Sequence, residues 1–138
     1  MPAGVANHVT PEGAAAFRDR LAAAAHARAA AGADGLASAR RAELDAEIRW
    51  LERRIATFVV TPPVAEPVRV GFGVTVRLEG PKGARQLRLV GVDEVDVARG
   101  DVSWRSPIAA ALRGAAVGDV VTVDTPGGEE EWEVVELR

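Results

Sequence analysis

A chain of 138 residues with 48% apolar and 27% charged side chains can bury a core, which excludes disorder throughout, and has the length of one ordinary domain or two small ones. Its formal charge of −3 argues against a general nucleic-acid binder, and its zero cysteines exclude a disulfide scaffold or a cysteine-rich zinc site. No apolar run approaches the roughly 20 residues that span a bilayer, and the N-terminus lacks a charged-then-apolar signal pattern, so the expectation is a cytoplasmic protein with no membrane partner.

The N-terminal half reads as two helices. Ala14, Phe17, Leu21, Ala24, Arg28 and Ala31 recur at helical spacing, most of them small. Leu44, Ile48, Leu51, Ile55 and Phe58 repeat at alternating steps of four and three residues, which is a heptad seam, with Asp45, Glu47, Arg49, Glu52, Arg53 and Arg54 on the solvated side. Between them Gly32-Ala33-Asp34-Gly35 supplies a turn, because its glycines adopt positive φ without a side-chain penalty. The prediction is an antiparallel helical hairpin, a coiled coil, over residues 1–60, with about 20 residues and roughly 30 Å per arm. A compact bundle is the alternative, but the seam carries too few large residues for one. His8 falls in an expected frayed tail and His26 on an alanine-rich helix. Neither has zinc-ligand spacing, and both read as surface or packing residues.

At Pro62-Pro63 the chain changes character, since a residue before proline is pushed away from helix. Residues 61–67 are expected to form a linker and residues 68–138 a second domain. There Val74, Val76 and Leu78 alternate with polar residues, as do Leu87 with Leu89 and Val121 with Val123, which predicts strands. Glu79-Gly80-Pro81-Lys82-Gly83 and Pro126-Gly127-Gly128 mark hairpin turns. Ser106 can accept a hydrogen bond from the exposed N–H groups of a helix start, Pro107 suits the first helical position, and Gly114 ends the segment. One short helix over about 107–113 would pack Ile108 and Leu112 on the sheet. The fold class is α+β.

The run Ser106-Pro107-Ile108-Ala109-Ala110-Ala111-Leu112-Arg113-Gly114, followed by Gly118-Asp119-Val120-Val121, by Thr125-Pro126-Gly127-Gly128-Glu129 and by Glu131-Trp132-Glu133-Val134-Val135-Glu136-Leu137, resembles the C-terminal domain of the Gre family of bacterial transcription factors. Upstream, Gly71-Phe72-Gly73-Val74-Thr75-Val76, Val90-Gly91-Val92-Asp93-Glu94-Val95-Asp96 and Val102-Ser103-Trp104 are similar to further strand and turn segments of that family, and Val9-Thr10-Pro11-Glu12-Gly13 to the entry of its first long helix. The resemblance implies a small immunophilin-like β half-barrel with one short helix, RNA polymerase as the partner, and Ser106, Pro107, Ile108 and Ala109 at the polymerase-facing helix start. It also implies that the hairpin enters the secondary channel of the polymerase. In cleavage-stimulating members, acidic residues of a tip motif Asp-Leu-x-Glu-Asn help hold the polymerase's second Mg²⁺ and activate a water. That chemistry needs at least two close carboxylates, because a hard cation takes oxygen ligands.

This chain departs from the motif. Asp34 can stand for the aspartate, but Ala37 and Ser38 occupy the glutamate and asparagine positions, and the second arm is about one heptad, or roughly 10 Å, short. Arg40 and Arg41 put positive charge beside the tip, where they either meet RNA phosphate or solvate a helix start, and solvation is the favoured reading. No Ser-His-Asp arrangement and no phosphate-loop context accompany Gly71-Phe72-Gly73. Prolyl isomerase activity, which a half-barrel invites, wants an apolar pocket floored by aromatic side chains. After the linker the only aromatic residues are Phe72, Trp104 and Trp132, and they read as core. The expectation is a monomeric, non-enzymatic factor with no cofactor, no metal site of its own and no direct sequence-specific nucleic-acid contact. It modulates or inhibits transcription, with strong cleavage stimulation or a stand-alone coiled-coil interaction module as alternatives.

Overall fold

The computed structural model describes residues 5–32 and 35–138, so the expected contribution of Asp34 lies outside the described residues. The chain divides into two compact units, one holding Asn7 and Pro11–Val60 and the other holding His8–Thr10 and Thr61–Arg138. Two three-residue strands, β1 (Asn7–Val9) and β2 (Phe58–Val60), lie where the chain passes from one unit to the other.

The first unit is built from helices α1 (Pro11–Ala30) and α2 (Gly35–Thr57). Their 20 and 23 residues give arms of about 30 and 35 Å. Ala14, Phe17 and Ala24 of α1 and Leu44 and Leu51 of α2 are buried, so the seam runs on the expected stripes. Residue pairings across the arms run in opposite directions, as an antiparallel hairpin requires. Arg28 Nε donates to Asp45 Oδ1 at 2.7 Å, Arg20 meets Glu47 at 3.4 Å, and the rings of Phe17 and Trp50 lie 6.0 Å apart. The heptad seam stops one residue earlier than its spacing suggested. Thr57 closes α2 by donating its hydroxyl to the Arg54 carbonyl at 2.6 Å, and Phe58 opens β2 while its ring sits edge-on to Phe17 at 5.1 Å. The β-branched Val59, Val60 and Thr61 and the following Pro62 favour extended chain over another helical turn.

The second unit is a mixed five-stranded sheet curled into a half-barrel around one short helix. Its strands are β3 (Thr75–Gly80), β4 (Gly83–Val90), β5 (Asp101–Ser103), β6 (Val120–Thr125) and β7 (Gly128–Leu137), in the spatial order β5-β4-β3-β7-β6. Neighbours pair antiparallel except β4 and β5, which run parallel, and a bulge between Arg77 and Leu78 shifts the β3–β7 register. Both predicted turns are two-residue connections, with Gly80 opposite Gly83 and Thr125 opposite Gly128. The period-two pattern faces inward: Val74, Val76, Leu78, Leu87, Leu89, Val123, Trp132 and Val134 form the core with Ala109 and Leu112 of α3 (Pro107–Leu112). The residues of α3 that face the sheet are thus Ala109 and Leu112, and Ile108 stands half-buried at the core's margin.

His8 does not lie in a frayed tail. Its Nδ1 hydrogen-bonds Thr61 Oγ1 at 2.9 Å, and its ring packs 5.2 Å from Trp104 and 5.7 Å from Phe72. The neighbouring residues explain why the segment is held. The Val9 carbonyl accepts from the Thr61 N–H at 2.8 Å, and the Glu94 carboxylate accepts from the Thr10 N–H at 3.0 Å, from the Gly91 N–H at 2.7 Å and from the Thr10 hydroxyl. Residues 8–10 therefore act as a short strap of the second unit.

Candidate functional site

Two surfaces carry the residues singled out by sequence. The first is the end of the hairpin where α2 begins. Leu36 is 88% exposed there, and the first turn of α2 has no acidic residue. Arg40 is paired along the helix with Glu43 at 3.5 Å, both side chains more than half exposed, and Arg41 donates to Ser38 Oγ at 3.0 Å. Glu43, the first carboxylate of α2, lies about 10 Å along the axis from Leu36. Among the described residues no group of three histidine, cysteine or acidic side chains is placed to hold a metal. Among the described residues at this end, two guanidiniums, a hydroxyl and a carboxylate already facing a guanidinium make a donor set that does not fit a divalent cation.

The second surface is the start of α3. Ser106 accepts the Ala109 N–H at 3.3 Å and Pro107 occupies the first helical position, so the cap forms as the sequence specifies. The helix ends at Leu112, and Gly114 takes φ +82°, a conformation other residues resist. Pro107 is exposed, and Ser106 and Ile108 are half-buried. Ala109 is fully buried in the core and offers no surface to a partner, which corrects its assignment as a contact residue. The physical reason is helical geometry: the residue three positions after the cap turns its side chain toward the sheet that Leu112 also covers.

Sequence reasoning missed a third feature beside this helix. Ile108, Val123 and Trp132 line a cavity of about 270 Å³, with Lys82, Ala84, Arg85, Thr125 and Glu130 around it. Trp132 is therefore both core and cavity lining. A Cβ at Gly80 would come within 2.6 Å of the Trp132 ring, so the indole lies directly against a bare backbone. On the sequence such a glycine reads only as a turn residue.

Residues 65–138 match the family described as "Transcription elongation factor, GreA/GreB, C-term". Transcription elongation factor GreB of Neisseria meningitidis serogroup B is 41% identical over 102 residues, covering 72% of this chain and 63% of that protein. Transcription elongation factor GreA of Alkalilimnicola ehrlichii is 40% identical over 99 residues, covering 69% and 63% respectively. The chain thus spans about 63% of the length of these relatives. Among solved structures, the GreA factor homolog 1 (Gfh1) protein of Thermus thermophilus is similar with a TM-score of 0.46 at 25% identity, over 97% of this chain and 99% of that one. With more than half of its residues inside the matched C-terminal domain, this chain belongs to the GreA/GreB family of transcription elongation factors.

Proposed function

We propose that the chain is a non-enzymatic factor that docks on RNA polymerase through its C-terminal unit, places its hairpin in or near the secondary channel, and modulates or inhibits transcription without strongly stimulating transcript cleavage. In this reading residues 1–60 are the inserted part, 61–67 the link and 68–138 the docking part. A monomer acting in the cytoplasm is the corresponding state.

The observation that carries the reading is the charge at the start of α2. Its first turn lacks a carboxylate, and Glu43, the first one, is set back and faces Arg40. Stimulating cleavage as family members do calls for paired carboxylates on a divalent cation. Guanidiniums near that cation would repel it instead. Pro107, exposed on a helix held rigidly by its cap, supports docking at the start of α3. A second reading, as a genuine cleavage factor, is favoured by the 41% identity to a GreB.

Docking is tested by co-purification with core RNA polymerase. The double variant Ser106→Asp, Pro107→Glu keeps a capping side chain and favourable charge at the helix start, so it should fold normally by circular dichroism. We expect the wild-type chain to co-purify and the folded variant to lose at least ten-fold in affinity. Equal binding by both overturns the assignment of this surface.

A further inference from the structure

The five-stranded sheet ends in β5 on one side and β6 on the other, and the two ends differ. An end strand presents a row of backbone N–H and C=O groups that a further strand can take up, and proteins blunt such rows with very short strands, charges, prolines, bulges or covering chain. At β5 the row is blunted. That strand is three residues long, and Asp96 covers it by exchanging two hydrogen bonds with Asp101, both at 3.0 Å. Residues 83–87 of β4, which β5 does not reach, include the charged Arg85. At β6 the row is open. The strand runs six residues, Val-Val-Thr-Val-Asp-Thr, in unbroken register with β7 and without lysine, arginine or proline. Among the described residues no segment pairs with its far side.

The pairing with β7 identifies the free groups. Thr125 and Gly128 flank a two-residue turn and form a hydrogen-bonded pair, so Val123 and Val121 are the next residues bonded to β7. The backbone groups of Val120, Thr122 and Asp124 therefore point away from the sheet. Side chains alternate in step: Val121 and Val123 pack on the core, while Val120, Thr122 and Asp124 are exposed. The row is nearly palindromic about Thr122, which is what an antiparallel pair of identical strands requires.

We propose that β6 pairs antiparallel with β6 of a second copy of this chain, about a two-fold axis at Thr122. In that register Thr122 exchanges both hydrogen bonds with Thr122 of the second copy, and Val120 exchanges both with Asp124 of the second copy. Val121 meets Val123 of the second copy on the inner face, which continues the apolar core across the axis, and Asp124 faces a valine. Centring the pair on Asp124 instead sets two carboxylates opposite each other, which disfavours that register. Because the two open edges close on one another and β5 is covered, association stops at a dimer. The pairing belongs to the free chain, and the monomer remains the docking form.

Sedimentation velocity of the full chain from about 5 µM to about 1 mM tests this, since self-association follows mass action. Residues 120–124 of each copy make a small interface, so we expect a reversible monomer–dimer equilibrium with a dissociation constant on the order of 100 µM. Thr122→Pro deletes the N–H aimed at the second copy without removing a bond to β7, and should be monomeric throughout. Thr122→Lys sets two ammonium groups opposite each other at the axis and should weaken pairing at least five-fold. Val97→Lys adds the same charge at an exposed position between β4 and β5 and should associate as the wild type does. Circular dichroism at low concentration checks the fold of each variant, and Thr122→Lys gives the answer if Thr122→Pro does not fold. A monomer at every concentration, growth beyond a dimer, or a folded Thr122→Lys that dimerises as tightly as the wild type overturns the proposal.

Discussion

Arg28 and Asp45 join the two arms of the hairpin through a 2.7 Å hydrogen bond from Nε to Oδ1, with both side chains 41% exposed. The pair sits where the apolar seam is thinnest, because α1 contributes Ala24 and no large buried residue beyond Phe17. Exposed pairs of this kind contribute about 0–1 kcal/mol and are screened by salt. Asp45→Ala should therefore lower stability by about 0.5–1 kcal/mol in low salt and by less in 0.5 M salt. Thermal denaturation followed by helical circular dichroism at both salts checks this, and an equal loss at both would show that the pair acts through packing.

Gly80 and Trp132 set a second expectation. A Cβ at position 80 would lie 2.6 Å from the indole, inside any real contact distance. Gly80→Ala should destabilise the C-terminal unit by about 1–3 kcal/mol, the usual range for an overpacked core. Urea denaturation measures the loss. A variant as stable as the wild type would mean that the ring moves aside freely.

The cap of α3 is separable from its surface. Ser106→Ala removes the acceptor for the Ala109 N–H and should cost about 0.5–2 kcal/mol, whereas Ser106→Asp should be close to neutral. Chemical denaturation of both variants decides whether Ser106 is held for its oxygen.

Glu94 accepts three hydrogen bonds from Thr10 and Gly91 and so pins the strap formed by residues 8–10. Glu94→Ala leaves two backbone donors without that acceptor, at roughly 1–3 kcal/mol for each one that remains buried. Amide hydrogen exchange at Thr10 and Gly91 should accelerate at least ten-fold. Unchanged protection would show that the contacts of His8 and Val9 hold the strap without Glu94.

Elements with a strict period were legible in the sequence. The heptad of α2 and the alternation of β3, β4 and β6 each announce a buried face, and Ser106-Pro107 announces a cap whose geometry is local. What stayed hidden depends on partners distant in the chain. His8 looked like tail because Thr61, Phe72 and Trp104, which hold it, lie more than 50 residues away. Glu94 read as one acid in an acidic turn, since its partner Thr10 stands 84 residues before it. Ala109 read as surface by its place in a motif, although the sheet covers it. The cavity was invisible for the same reason, because its lining comes from β4, α3, β6 and β7 together.

The central claim is that a hairpin whose α2 carries Arg40 and Arg41 and no carboxylate before Glu43 occupies the polymerase without supplying metal-binding acids. Backtracked RNA polymerase complexes with labelled RNA test it directly. The chain is added alone and then in excess over a cleavage-stimulating Gre factor. The account predicts no appreciable RNA shortening by the chain alone and a clear loss of the shortening caused by the competitor. Robust shortening by the chain alone that disappears in Asp34→Ala would contradict it.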